Sequence, residues 1–210
     1  MSLRSLCLIL FLFFQLPSSV FGETRITVLG DSLTAGYGLT PEAAFPVQLE
    51  KRLRADDYPV TVINAGVSGD TTAGGRARLE WLLADRPAAV IVELGGNDAL
   101  RGLDPQQTRA NLAAILERLQ QEDIPVLLTG MRAPRNLGRE FTADFDRLFP
   151  ELAEQYNVLF YPFFLDGVAG DPKLNLPDGI HPNSAGVEVI VSRLAPLVRQ
   201  LLELTASANR

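Results

Sequence analysis

His181 is the only histidine in the chain and lies in the string Asp178-Gly179-Ile180-His181-Pro182. Imidazole is the side chain whose unperturbed pKa falls near neutrality, so a proton shuttle at neutral pH has one candidate here. Asp178, three positions earlier, can hold the ring from the same loop. Pro177, Gly179 and Pro182 would tighten and stiffen that loop. A histidine base calls for a nucleophile, and the first choice is Ser32 in Gly30-Asp31-Ser32-Leu33. There a strand turns into a helix, whose free amides favour negative charge. Ser68 in Gly66-Val67-Ser68-Gly69 is a weaker rival. Acyl transfer would also need donors for an oxyanion. The Ser32 amide, the Gly66 amide and the Asn97 side chain of Gly95-Gly96-Asn97-Asp98 form that set.

Each block has an ordinary reading beside this one. Asp31 and Ser32 are both preferred helix caps. Asp178-Gly179 is a common turn, and so is Gly95-Gly96-Asn97-Asp98, with Asp98 able to cap the next segment. The α/β-hydrolase elbow G-x-S-x-G is absent, because Thr34 occupies its last place. The residues taken singly leave both readings open.

The elements that must position these residues alternate regularly. Short β-branched runs over 25–29, 60–64, 88–94, 125–129 and 158–163 read as strands. Helical spacing marks 45–55, 72–84, 105–122, 143–156 and 184–204, with Pro196 expected to kink or split the last. Runs such as Val90-Ile91-Val92 are apolar at consecutive positions, as strands buried on both faces require. Five such alternations predict an α/β fold, a three-layer α/β/α sandwich around a five-stranded parallel sheet. In open parallel sheets, chemistry gathers beyond the carboxyl ends of the strands. Three of the blocks above follow strands, and the Asp178 loop precedes the last helix.

The ends and composition bound the rest. Arg4 followed by the apolar run 6–16 and Val20-Phe21-Gly22 reads as a secretory signal over 1–22, cleaved before Glu23. The run is short for a bilayer span, the competing reading being an uncleaved anchor. Cys7, the sole cysteine, falls inside that leader, so the mature chain has no thiol for a disulfide, a nucleophile or a metal. Without Arg4 the balance is 18 basic against 25 acidic groups, a net charge of −7. Such a domain has nothing to neutralise phosphates, which argues against nucleic-acid binding. Residues 23–204 suit one domain with a sizeable core, and 205–210 read as a frayed tail.

Gly30-Asp31-Ser32-Leu33, Gly66, Gly96-Asn97-Asp98 and Asp178-x-x-His181-Pro182 resemble, in order, the four blocks of the GDSL (SGNH) hydrolase superfamily. Within it, Ser68-Gly69-Asp70-Thr71-Thr72 and Glu93-Leu94-Gly95-Gly96-Asn97-Asp98 are similar to the periplasmic thioesterase I/arylesterase/lysophospholipase group. The resemblance implies a flavodoxin-like fold, no metal or other cofactor, and hydrolysis of acyl esters and thioesters in the periplasm. It implies catalysis by Ser32, His181 and Asp178 with oxyanion donors at Ser32, Gly66 and Asn97, while Asp31 and Asp70 serve as local supports. Leu137 and Leu176 are the candidates for touching an acyl chain. The arginines at 132, 135 and 139 either steer anionic headgroups or form a solvated face. The expected partner is a small-molecule ester or thioester, bound by a monomer with no stable membrane insertion. Two other readings stand beside this one: a deacetylase of acetylated carbohydrate or peptidoglycan, and a non-catalytic binding module on the same fold.

Overall fold

The computed structural model describes residues 23–208; the leader expected over 1–22 and the last two residues lie outside the described residues. Five parallel strands form one sheet in the order β2-β1-β3-β4-β5. They are β1 (Thr24–Gly30), β2 (Val60–Gly66), β3 (Ala89–Glu93), β4 (Val126–Thr129) and β5 (Leu159–Tyr161). Ile26, Val28, Val90, Ile91, Val92, Leu127 and Leu128 are buried, as consecutive apolar runs covered on both faces should be. The reversal of strand order lies between β1 and β3, so the crevice for chemistry opens at their carboxyl ends.

The connecting helices are α1 (Ser32–Ala35), α2 (Phe45–Ala55), α3 (Thr72–Ala77), α4 (Leu79–Leu83), α5 (Gly96–Leu100), α6 (Pro105–Gln121), α7 (Arg139–Tyr156) and α8 (Ser184–Ala208). Helix α2 packs on α8, while α6 packs on α3 and α7, so two helical layers enclose the sheet. Edge-on aromatic pairs lock both layers: Phe45 against Phe164 with centroids 5.1 Å apart, and Phe145 against Phe149 at 5.5 Å. Each such pair contributes roughly 0.5–1.5 kcal/mol beyond its buried area.

Three expectations of the sequence are corrected. The stretch 72–84 is two helices, because Arg78 leaves helical geometry at φ −104° and ψ 6° between α3 and α4. Pro196 does not split the last helix, which runs unbroken from Ser184. Leu194, Ala195, Val198 and Leu201 are buried on either side of it, and that packing outweighs one missing backbone bond. The tail expected to fray from Thr205 is helical as far as Ala208, and the Thr205 hydroxyl is buried and donates to the Leu202 carbonyl at 2.7 Å.

Strand register sets up the functional edge. Gly30, the last residue of β1, lies opposite Gly66 of β2 on one side and Glu93 of β3 on the other. Three chain turns therefore leave the sheet side by side, carrying Ser32, the 66–70 loop and Asn97.

Candidate active site

In the first turn the helix cap falls to Asp31 and not to Ser32. Asp31 is the N-cap of α1, its Oδ1 accepting the Leu33 amide at 3.0 Å. Ser32 is the first residue of the helix proper, so its hydroxyl is released from capping and points elsewhere. Ser32 Oγ lies 2.9 Å from His181 Nε2, and His181 Nδ1 lies 2.8 Å from Asp178 Oδ2. Residues 149 positions apart thus form one relay. Ser68 is exposed, and the single histidine is committed to Ser32.

The His181 loop is built largely by its own residues. Asp178 Oδ1 accepts the amides of Ile180 at 2.9 Å and His181 at 3.0 Å, while Oδ2 holds the ring. These bonds, the His181 amide foremost, hold the Asp178 carboxyl down to about 2. With Asp178 ionised, Nδ1 carries the proton and Nε2 presents its lone pair to Ser32. The tautomer follows from this partner. The exposed Tyr37 ring sits 4.4 Å from the His181 ring, tilted by 35°.

Asn97 is tied to the turn that carries Ser32: its Nδ2 donates to Asp31 Oδ2 at 3.0 Å and to the Asp70 carbonyl at 2.9 Å. Both of its amide hydrogens are engaged, so binding an oxyanion requires it to share or exchange one. Asp98 anchors the segment from below: it is buried and accepts the Thr72 amide at 2.9 Å and the Thr108 hydroxyl at 3.2 Å.

Gly66 does not offer the free amide expected of it. Its N–H donates to Asn64 Oδ1 at 3.0 Å, and a Cβ there would lie 2.3 Å from the Ala35 nitrogen. Its smallness lets β2 end against α1. Three residues on, Gly69 adopts φ +82°, a left-handed conformation that favours glycine. Among the described residues no acceptor takes the Gly69 amide, while its carbonyl is held by Arg101 Nη2 at 2.7 Å. Asp70, beside it, is the residue whose carbonyl Asn97 holds. In the sequence Gly69 is marked by the string Ser68-Gly69-Asp70.

Two polar residues received no role from the sequence, although Glu93 opens the string Glu93-Leu94-Gly95-Gly96-Asn97-Asp98. Arg78 donates to Asp70 Oδ2 at 2.7 Å, to the Ala65 carbonyl at 2.7 Å and to the Gly30 carbonyl at 2.8 Å. One guanidinium thus ties the ends of β1 and β2 to the 66–70 loop. Glu93 is wholly buried at the end of β3, where an acid inside an apolar run was the visible clue.

The candidate acyl contacts diverge. Leu137 lines an open groove of about 500 Å³ with Pro105, Arg139 and Phe141. Leu176 braces the His181 loop instead: its amide donates to the His181 carbonyl at 2.7 Å, and its side chain closes on Gly38 beside Tyr37. Of the three arginines, Arg132 stacks over Phe163 at 4.8 Å and Arg135 pairs with Asp146 at 2.8 Å. Exposed apolar side chains at Tyr37, Val67, Leu100 and Ile180 sit on the turns, the short helix and the loop that carry the site residues.

Residues 28–189 match the model of the GDSL-like Lipase/Acylhydrolase family. The chain belongs to that family. Within the GDSL-like family it is 41% identical over 178 residues to Esterase TesA of Pseudomonas aeruginosa, covering 84% of this chain and 89% of that one. It is 39% identical to Thioesterase 1/protease 1/lysophospholipase L1 of Escherichia coli, covering 84% of each. A solved structure of the psychrotrophic esterase EstA from Pseudoalteromonas, inhibited by monoethylphosphonate, superposes with a TM-score of 0.81. That pair shares 31% identity, with 86% of this chain and 100% of the other covered. Among the described residues no helix is long and apolar enough to cross a membrane.

Proposed function

We propose that this GDSL-family chain is a serine ester hydrolase in which Ser32 attacks the carbonyl of an acyl ester or thioester. The observation that carries the reading is the relay from Asp178 through His181 to Ser32 at 2.8 and 2.9 Å. His181 Nε2 takes the Ser32 proton as the tetrahedral intermediate forms, and Asp178 stabilises the resulting imidazolium. His181 then protonates the leaving alcohol or thiol. Water, deprotonated by the same nitrogen, releases the acid and restores Ser32. The oxyanion is held by the Ser32 amide, the Gly69 amide and Asn97 Nδ2, each such donor lowering the barrier by about 3–4 kcal/mol. Gly69 takes the place expected for Gly66, since the Gly66 amide is already spent on Asn64.

The substrate class is an acyl ester or thioester with an apolar acyl or aryl part. Support comes from the exposed apolar side chains of Tyr37, Val67, Leu100 and Ile180, close in sequence to the site residues. The esterase, thioesterase and lysophospholipase names of the relatives agree with it. The leader read over 1–22 supports an exported, periplasmic mature enzyme; a monomer that needs no metal completes the reading.

Hydrolysis of p-nitrophenyl esters of graded chain length by the mature protein tests this reading. Ser32→Ala and His181→Ala should each lose at least ~1000-fold in kcat/KM with the fold intact. A phosphonate ester should attach to Ser32, and a chelator should leave the rate unchanged. Activity that survives Ser32→Ala but dies in Ser68→Ala would sink the assignment.

A further inference from the structure

Glu93 ends a strand whose preceding residues Val90, Ile91 and Val92 are fully buried, and it is fully buried itself. Its Oε2 accepts the Thr34 hydroxyl at 2.8 Å and the Asp31 amide at 3.3 Å. Oε1 reaches neither solvent nor a partner among the described residues. Arg78, which holds this same turn, directs its bonds to Asp70 and two carbonyls. The peptide between Gly30 and Asp31 is therefore gripped at both ends. Arg78 Nη2 and the Val67 amide hold its carbonyl at 2.8 and 3.1 Å, and Glu93 holds its N–H. The next peptide leads to Ser32.

We propose that Glu93 is a positioning residue for the reaction at Ser32, clamping the peptide that precedes the nucleophile and doing so as an uncharged carboxylic acid. The proposal rests on the reading of Ser32 as nucleophile. An ionised carboxylate with an orphan oxygen and no cation at hand is far costlier in a protein interior than the neutral acid. Burial, and then the charge of Asp31, push the Glu93 carboxyl well above its ordinary range. The neutral state matters to the neighbours. Asp31 faces Glu93, Asp70, His181 and Asn97, and an uncharged Glu93 leaves Asp31 able to ionise and accept from Asn97 Nδ2. A charged Glu93 would drive a proton onto Asp31 and weaken that bond. The proton on Glu93 is thus linked through Asp31 to the aim of the Asn97 amide.

The test compares Glu93→Gln and Glu93→Leu in p-nitrophenyl butyrate hydrolysis, with the infrared band of protonated carboxyls recorded at neutral pH. Glutamine offers an oxygen to Thr34 and Asp31 and carries no charge, so kcat should stay within about 5-fold of the parent. Its acid limb should match the parent's, because the neutral glutamine amide stands in for the neutral acid the proposal assigns to Glu93. Leucine keeps the bulk but releases the clamp, and kcat should fall about 30-fold or more with KM within about 3-fold. The infrared spectrum of the parent should contain a buried carboxylic acid band that Glu93→Gln lacks. A glutamine variant as slow as the leucine one, a leucine variant as fast as the parent, or no such band would overturn the proposal. If Glu93→Leu does not fold, the glutamine kinetics and the band decide alone. Phosphonate labelling separates the two readings. A labelled Ser32 with equally active Gln and Leu variants removes only the clamp, whereas activity surviving Ser32→Ala removes the nucleophile assignment itself.

Discussion

Two aspartates serve the two halves of the proposed Ser32–His181 pair, and their surroundings are opposite. Asp178 stands three residues before His181, its side chain about a third exposed, and accepts two backbone amides and the ring. Asp31 stands directly before Ser32, is 1% exposed, and accepts the Leu33 amide and Asn97. Hydrogen bonds win at Asp178 and hold its carboxyl down to about 2; burial wins at Asp31 and raises it to about 6. A carboxylate that must stay charged beside a proton shuttle is cheapest at the surface, where water and local amides solvate it. One that sets geometry under a nucleophile can be dry, at the cost of a charge that comes and goes. The histidine side is made by a few consecutive residues, and the serine side by the whole sheet edge.

The exposed member should give the largest effect. Asp178→Asn should lower kcat by about 10³ to 10⁴-fold, because an amide NH2 facing Nδ1 favours the tautomer that cannot accept the Ser32 proton. Thermal melting should barely move, since the loop is peripheral. Asp31→Asn should cost less, about 100-fold in kcat with KM nearly unchanged. Its NH2 would meet the Asn97 NH2 donor to donor and turn that oxyanion ligand away. Steady-state kinetics on one ester measures both. Equal losses would erase the contrast, and a loss under about 3-fold in Asp31→Asn would reduce Asp31 to a helix cap.

The contrast also explains what the sequence could reveal. Asp178 and His181 were legible together because their geometry is local, a turn closed within three residues. Ser32 was ambiguous with capping until the fold assigned the cap to Asp31. The five-strand alternation was legible from runs such as Val90–Val92, since burial on both faces leaves a continuous apolar signature. Gly66 reads differently in the fold because a glycine's task depends on its neighbours: Asn64 takes the amide at 66, while no acceptor among the described residues takes the one at 69. The tasks of Arg78 and Glu93 were not legible for the same reason, as most of their partners lie 13 to 62 residues away. The break at Arg78 and the continuity through Pro196 were decided by tertiary contacts that override local propensity.

A smaller effect tests whether the exposed side is as self-contained as it looks. Tyr37 is a ring packed on His181, and it comes from the serine side of the site. Tyr37→Ala should lower kcat/KM by about 5-fold, since a ring contact of this kind contributes on the order of 1 kcal/mol. Tyr37→Phe should restore it. A loss near 100-fold in the alanine variant would mean that the His181 loop depends on the β1 turn for its position, and the two regions would be one unit.

The smallest effect is one of stability, and it sets the two aspartates against each other in separate pH windows. Asp31 is raised from 3.8 to about 6, so between those values the folded state holds more protons than the unfolded chain. Its contribution therefore grows more favourable as pH falls from about 6 toward 4, and its ionisation weakens the fold above 6. Asp178 is lowered from 3.8 to about 2; its contribution is present above 3.8 and is lost only as pH falls through about 2. Above about pH 4.5 Asp178 is silent and Asp31 titrates alone of the two. An asparagine in place of Asp31 carries no charge at any pH, so Asp31→Asn should gain stability relative to the parent on going from about pH 4.5 to 7.5. The melting-temperature difference between variant and parent should shift in the variant's favour by about 5 °C across that range. Asp178→Asn should show no such trend there. A flat difference for Asp31→Asn would mean that Asp31 is solvated well enough to ionise freely, and the buried side of the site would then differ from the exposed one in geometry but not in charge.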